Sequence, residues 1–368
     1  MSIVTWAIGR SAAPVLASRM RRGWIGIDVG TYSTKLAQIE RRGSEYRISA
    51  RWSLSHADPS ALAGADTRVE ALESQIGKLK PLRQLFSGRN CAACLPMSLV
   101  ETRCFEIPKG THSEQNRMAG EELAAELGVE PSELAYDCWD SSLADASAAD
   151  IVKMSINAVP KKLAQTLGNR LLTAGLECQV LDGTSCALAR AVAISNIKPA
   201  EDPVVAIDLS YTLPLVVLVK SGQPLFTRTL RGVGMQALMQ PLEAALALSP
   251  DACQQLLVRY GLTVLGQQPT LATGKTMQII AHPLQDLLSE IKRTVDYIHQ
   301  HFRTCKPRHV CLFGGGAVIK NLPEHINHIL QLPVTPWSMD GSLSNPHEAI
   351  YGLAAGLSAL AWEENACS

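Results

Sequence analysis

The chain has 368 residues, of which 46% are hydrophobic and 18% are charged, and this composition excludes a disordered protein. The length exceeds what one hydrophobic core usually serves, so we expect at least two domains. Its 34 basic residues equal its 34 acidic residues, so no overall charge favours a nucleic acid partner.

The ten cysteines are scattered along the chain, which is typical of reduced, intracellular proteins. Cys91 and Cys94 have the spacing of a zinc or redox pair, but no second pair follows, so we expect a structural role. No stretch of about 18 apolar residues is free of charge and proline, so no membrane-spanning helix is predicted. Residues 1–22 contain Trp6 and four arginines and are predicted to be a disordered leader or a weak interfacial helix on anionic lipid.

The first structured segment, residues 23–40, is predicted to be a β-hairpin with a phosphate-binding turn. Glycine in the turn allows close backbone approach, and the hydroxyls lie beside main-chain N–H groups. Asp28 ends the first strand, where a carboxylate would face a magnesium ion and its waters. An ordinary surface turn is the alternative. The turn consists of Gly30, Thr31, Tyr32 and Ser33.

The remainder of the first half alternates strands with helices. A helix is expected over 68–85, interrupted at Pro81, and another over 113–127, with Ser113 as its N-cap. Strands are predicted over 46–54, 90–94, 102–107, 134–140, 151–159 and 179–181, and further helices over 160–174 and 184–194. The elements between 100 and 155 form a compact insertion.

At Val204 the opening pattern recurs, about 180 residues after its first occurrence. A strand ends in Asp208, a turn contains Ser210 and Tyr211, and two more strands follow. Duplicated α/β domains with a cleft between them are therefore expected. Further on, Gly314, Gly315 and Gly316 follow a strand and open a helix. Such a turn lets a nucleoside pack on bare backbone, although a tight strand-to-helix turn is the alternative.

The two hairpins and the glycine turn together resemble the phosphate and adenosine motifs of the actin, heat-shock chaperone and sugar kinase superfamily. Closer similarity is to the PilM family of type IV pilus assembly, whose members are cytoplasmic actin-like relatives of the cell-division protein FtsA. The segments that carry it are GIDVGTYSTKLAQIE, VLDGTSCALARA, AIDLSYTLPLVVLVKSGQPLFTRTL, LLSEIKRTVDYIHQ and LFGGGAVIKNLPEHINHILQLPV.

This resemblance implies an α/β, actin-like fold of the duplicated ribonuclease H-like type, with two lobes around a cleft and an inserted α+β subdomain of the FtsA/PilM kind. The implied boundaries are 1–22 for the leader, 23–99 and 156–202 for the first actin-like subdomain, 100–155 for the insertion, 203–234 and 281–335 for the second subdomain, 235–280 for a helical insertion, and 336–368 for a C-terminal return to the first lobe.

The resemblance also implies an ATP and magnesium site that includes the two turns and the glycine motif. Within it, Asp182 matches a carboxylate near the metal, but a helix N-cap explains it equally well. A helix is expected over 283–302; on it, Arg293 could stack on adenine, or it could form an ion pair with Glu290 on one helix face. Lys35 is either a phosphate partner or a surface charge. Asp208 and Ser210 complete the candidate set.

Several positions depart from the superfamily pattern. Ser210 replaces a glycine, Tyr211 is bulky, and Pro214 removes an N–H donor. Gln254 and Leu257 stand where FtsA relatives carry Glu and Lys that contact the nucleoside. We therefore expect ATP binding to be weak or replaced by a structural cleft. No residue is identified as a base for activating water, so no catalytic residue is predicted and efficient ATP hydrolysis is not expected.

The function implied is a cytoplasmic scaffold, peripheral to the inner membrane, in a type IV pilus or related secretion complex. It would dock the N-terminal peptide of a PilN-like inner-membrane protein in a groove formed by residues of about 90–160, where strand 102–107 offers an edge. Pilus assembly ATPases are further partners, and nucleic acid is not one. The alternatives are an active ATPase or phosphotransferase of the superfamily and an FtsA-like membrane tether.

Overall fold

The computed structural model describes residues 21–56, 68–142, 150–195, 202–341 and 345–363. The expectations for residues 1–20, including the interfacial helix, lie outside the described residues, as does Cys367. The chain divides into two compact units, Met1–Arg190 with Ala354–Ser368, and Ala191–Leu353. The finer subdomain boundaries implied by the sequence stay a prediction.

The first unit contains a five-stranded and a three-stranded sheet. Their strands are β1 (Ile25–Val29), β2 (Ser33–Arg42), β3 (Glu45–Ser55), β4 (Asn90–Cys94), β5 (Glu101–Pro108), β6 (Leu134–Asp140), β7 (Ile151–Pro160) and β8 (Glu177–Leu181). The larger sheet has the order β3-β2-β1-β4-β8, and the smaller has the order β5-β7-β6. The α-helices of the described ranges, in both units, are α1 (Arg68–Gly77), α2 (His112–Leu127), α3 (Lys161–Thr173), α4 (Thr184–Ile194), α5 (Met235–Leu246), α6 (Pro250–Arg259), α7 (Leu271–His301), α8 (Leu322–Leu330) and α9 (Gly352–Ser358).

Strand β1 is central because it pairs on both sides, antiparallel with β2 and parallel with β4. All five of its residues are buried, as expected of an apolar strand covered on both faces. Gly26 allows the C-terminal segment to pack directly on this strand, since a Cβ atom there would lie 1.8 Å from the carbonyl oxygen of Ala354. Because Asp28 is the fourth of the five residues of β1, it lies near the carboxyl edge of the sheet.

The three-stranded sheet packs on α2 around a small core of its own that includes Leu123 and Ile156. The predicted N-cap of helix α2 was wrong: the helix begins at His112, and Thr111, not Ser113, is its N-cap. The Thr111 hydroxyl accepts a hydrogen bond from the Glu114 N–H, and the Glu114 carboxylate accepts one from the Thr111 N–H. This reciprocal capping box satisfies two donors that a helix start otherwise leaves unpaired.

The second unit repeats the plan of the first. Its strands are β9 (Val204–Asp208), β10 (Leu215–Lys220), β11 (Gln223–Thr229), β12 (His309–Phe313) and β13 (Val334–Pro336). The sheet order β11-β10-β9-β12-β13 places the predicted meander beside two parallel strands. Helix α7 starts at Leu271 and carries Pro283 inside it, so the prediction of a helix beginning at residue 283 was wrong. The Thr270 cap and the apolar face of the 31-residue helix outweigh the proline.

Among the helices of the described ranges, none combines the length and the apolar character that crossing a bilayer requires.

Replacing Thr111 with Ala should destabilise the first turn of α2 by about 1 kcal/mol, because the capping oxygen is lost. Amide hydrogen exchange over α2 should accelerate roughly fivefold at that end of the helix. Ser113→Ala is the matched control, since Ser113 is exposed and lies inside the helix. Equal acceleration in the two variants would show that Thr111 does not cap the helix.

Candidate functional site

The first candidate turn closes a tight hairpin in which the Gly30 N–H donates to the Ser33 carbonyl oxygen at 3.1 Å. Asp28 is buried beside it, and its Oδ2 atom lies 2.9 Å from the Lys35 Nζ atom. The Lys35 side chain is only 15% exposed, which does not fit the surface-charge alternative. The structure therefore brings together the Asp, the hydroxyl turn and the Lys that the sequence proposed, with the carboxylate neutralised by the lysine.

His56, which the sequence reasoning missed, holds this turn through hydrogen bonds to its backbone and to a neighbouring hydroxyl. Its Nε2 atom lies 3.1 Å from the Gly30 carbonyl oxygen and 3.3 Å from the Thr34 Oγ1 atom, and its backbone N–H donates to the Tyr32 carbonyl oxygen. Burial lowers the pKa of His56 to about 4, so the ring is neutral at pH 7. A neutral ring that donates from Nε2 to the Gly30 carbonyl holds the turn in one conformation.

Asp182 lies just past the end of β8, fully inside the first unit, in a buried ionic network. Its Oδ2 atom is 2.8 Å from Arg190 Nη1, and its Oδ1 atom accepts the Gly183 N–H. Arg190 also contacts Glu363 at 2.6 Å. Burial raises the pKa of Asp182, whereas the adjacent Arg190 guanidinium opposes that rise. The carboxylate is thus engaged by an arginine, a partner that neither the metal alternative nor the N-cap alternative included.

In the second unit, the turn after β9 is held by the start of α5. The N–H groups of Met235 and Gln236 donate to the carbonyl oxygens of Ser210 and Tyr211, at 3.1 and 2.8 Å. Burial raises the pKa of the Tyr211 hydroxyl, which is consistent with a side chain packed into the protein. The first free N–H groups of α5, which would otherwise attract an anion, are therefore used by the chain itself.

The three glycines after β12 have different surroundings. A Cβ atom on Gly314 would lie 2.3 Å from Asp208 Oδ1, and one on Gly316 would lie 2.6 Å from the Leu209 Cβ atom. These two glycines are required by the packing of the chain on itself. Gly315 is partly exposed, and the Gln254 side-chain nitrogen lies 3.5 Å from the Cβ position there. Only Gly315 presents open backbone, next to an amide that could donate a hydrogen bond.

Glu290 lies in a cluster of charged groups on α7. Its carboxylate is 2.7 Å from Arg293 and 2.9 Å from Arg228 on β11. Arg228 also donates to the Thr294 hydroxyl. Arg293 is 70% exposed. This arrangement favours the ion-pair alternative for Glu290 and Arg293, and it adds Arg228, which no local sequence pattern marked.

No group of three or more His, Cys, Asp or Glu side chains suited to a metal ion occurs in the parts of the chain that the structure describes. The nine cysteines in those parts are free thiols. Burial raises the pKa of Cys91 well above its ordinary value, so this thiol stays protonated. The structural role expected of Cys91 and Cys94 in β4 is in keeping with these surroundings.

The first unit also contains an open groove at the place where its two sheets approach each other. It is shallow, with a volume of about 20 Å³, and lies between the ends of β4 and β8 and strands β6 and β7. Most of the lining is aliphatic, and Asn157 supplies a polar group, with its Oδ1 atom accepting from the Thr102 hydroxyl at 2.8 Å. The lining residues are Leu95, Val100, Ala135, Asn157, Ala158, Val159, Leu181, Asp182 and Gly183.

Stability should fall on acidification through His56. The unfolded ring has a pKa of about 6.5, so between that pH and pH 4 the unfolded state binds more protons than the folded state. The contribution of His56 is complete at pH 7.5 and should be about 2 kcal/mol smaller at pH 5. Urea unfolding of the wild type and His56→Gln at both pH values measures it. The exposed His282→Gln is the control; a pH-independent difference between wild type and His56→Gln would contradict the buried neutral ring.

No protein-family model matches the chain. The structure of a PilM–PilN type IV pilus biogenesis complex is similar over 94% of this chain and 100% of that one, with 18% identity and a TM-score of 0.74. The ethanolamine utilization protein EutJ from Carboxydothermus hydrogenoformans covers 92% of this chain and 89% of its own, at 14% identity and a TM-score of 0.53. The structure of MreB 5 of Spiroplasma citri bound to AMPPNP is similar over 92% of this chain and 95% of that one, with 10% identity and a TM-score of 0.50. The chain therefore has the PilM-like, actin-type fold that its sequence predicted.

Proposed function

We propose that this protein is a cytoplasmic scaffold of a type IV pilus or related secretion complex, held at the inner membrane by the N-terminal peptide of a PilN-like membrane protein. The observation that carries the proposal is the open apolar groove of the first unit, in a chain whose fold follows PilM in the PilM–PilN complex over 94% of its length. Pilus assembly ATPases would be further partners of the same complex.

The groove has the chemistry of a peptide site. Val100 offers a partly exposed aliphatic side chain, with the buried Leu95 and Leu181 in the same lining. Asn157 has side-chain N–H groups that can donate to a peptide carbonyl, while its Oδ1 atom accepts from Thr102. Strand β5 is at an edge of its sheet, since among the described strands it pairs only with β7. An extended peptide could therefore add main-chain hydrogen bonds at this edge, whose first residue follows Val100 of the groove lining.

Nucleotide binding is a secondary and weaker part of the proposal. Asp28 and Lys35 fit a magnesium ion with its phosphates, because a carboxylate suits the hydrated metal and a lysine suits the phosphate. The second turn does not fit equally well, since the first N–H groups of α5, which could bind an anion, already donate to the carbonyl oxygens of Ser210 and Tyr211. The proposed nucleotide-binding residues are Asp28, Gly30, Thr31, Tyr32, Ser33, Lys35 and Asp182 in the first unit and Asp208, Ser210, Glu290, Arg293, Gly314, Gly315 and Gly316 in the second.

An active ATPase or phosphotransferase is the second candidate. It is favoured by the Asp28–Lys35 turn and by the similarity in fold to an MreB that binds AMPPNP. Against it, the Asp182 carboxylate is paired with Arg190, and the described site residues include no group placed to activate water.

Charge introduced at the groove should abolish docking. Val100→Asp places a carboxylate in the aliphatic lining at a partly exposed position, so the affinity for a synthetic N-terminal peptide of the PilN-like protein from the same genome should fall at least about tenfold. Ile151→Asp, at the far end of β7 and 54% exposed, is the matched control. Unchanged affinity of a folded Val100→Asp variant, measured by calorimetry, would rule out docking in this groove.

For the nucleotide, we expect calorimetry with Mg-ATP to give a millimolar dissociation constant, with phosphate release no faster than without protein. Asp28→Ala should remove the remaining binding, because it deletes the metal-facing carboxylate. The exposed Asp296→Ala is the control, since it lies in a solvent-facing pair with Lys292. Micromolar binding together with turnover that Asp28→Ala abolishes would favour the ATPase candidate over the scaffold.

A further inference from the structure

Large apolar side chains are exposed in one segment of the second unit far more than elsewhere. Ten such side chains are exposed among the described residues, and four of them fall between residues 260 and 271. Leu271 is 92% exposed, and the other three are each 42% exposed. These four residues, Tyr260, Val264, Leu265 and Leu271, are called the apolar tip below.

The apolar tip stands on a well-anchored base. The Leu262 N–H donates to the Lys320 carbonyl oxygen at 3.0 Å, and the Asn321 amide donates to the Leu262 carbonyl oxygen at 2.6 Å. His325 Nε2 lies 2.9 Å from the Thr263 carbonyl oxygen. The Leu262 side chain is buried, whereas the next two apolar residues point outward. The fold therefore holds the tip in an exposed position.

The acidic and basic residues in the sequence segment that carries the tip have one sign. From Ala252 to Gln285 the sequence contains no Asp or Glu, and its basic residues are Arg259 and Lys275. Arg259 lies over the Tyr260 ring, with the guanidinium carbon 5.4 Å from the ring centroid. Lys275 follows Leu271 by four residues on the exposed side of α7, so both lie on one helix face. An apolar tip is thus flanked on both sides by a cation.

We propose that the apolar tip inserts shallowly into an anionic lipid bilayer. Aliphatic side chains would enter the boundary between headgroups and acyl chains, Tyr260 would lie at the headgroup level, and Arg259 and Lys275 would pair with lipid phosphates. A stable protein interface buries roughly 800 Å² per partner over about 20 residues or more, which four side chains do not supply. The surface would give the protein a lipid contact that does not depend on the peptide groove.

The test uses the full chain in flotation with vesicles of phosphatidylcholine, with and without phosphatidylglycerol. The wild type should float with the anionic vesicles, and binding should weaken with salt. Leu265→Ser combined with Leu271→Ser should reduce the partition coefficient at least about tenfold. Arg259→Gln combined with Lys275→Gln should remove the preference for anionic vesicles. Leu172→Ser, at an exposed leucine of α3 in the first unit, is the control and should bind like the wild type.

Three results would overturn the proposal. One is that the wild type does not bind anionic vesicles, and another is that both double variants bind as well as the wild type, which would assign the lipid contact to another part of the chain. The third is that the Leu265 and Leu271 variant changes the molecular mass in vesicle-free solution while vesicle binding stays the same, which would make the tip a contact between copies of this chain. Light scattering measures that mass.

Discussion

Two buried carboxylates lie at the carboxyl edge of the five-stranded sheet in the first unit, and each needs a positively charged partner. The rest of the candidate nucleotide site depends on this constraint. Asp28 and Asp182 are both buried, and a buried carboxylate must be paired or protonated. The chain supplies the partners itself, Lys35 for Asp28 and Arg190 for Asp182. Since Arg190 also holds Glu363, this pairing ties the C-terminal segment to the same edge.

In both units, groups that the sequence resemblance implied for nucleotide binding are engaged by the chain's own groups. The carboxylates of the first unit have cationic partners, the first N–H groups of α5 donate to the second turn, and Gly314 and Gly316 pack closely against Asp208 and Leu209. The apolar groove of the first unit is different, because a small opening to solvent remains beside Val100, above aliphatic residues that are mostly buried. A peptide side chain that covers this opening would remove apolar surface from water, which favours docking over nucleotide chemistry.

Much of the fold could be predicted because short stretches of the sequence indicate its strands, turns and helices. Each meander shows apolar strands, an Asp at the strand end and a polar turn, and the repeat at Val204 identifies the duplication. The contacts that set the chemistry are not local. Arg190 meets Glu363 across 173 positions, and His56 reaches Gly30 across 26, so no spacing rule marks them. The groove likewise exists only where β7 lies beside β8, which no single segment specifies.

The most direct test of peptide docking in the groove is photo-crosslinking of the full chain with the N-terminal peptide of its PilN-like partner, carrying a benzoylphenylalanine in place of an apolar residue. Docking in the groove predicts crosslinks, mapped by mass spectrometry, in residues 95–100, 135–139, 157–160 and 181–183, around the groove lining. Crosslinks confined to the second unit, or to the turn at residues 28–35, would contradict it.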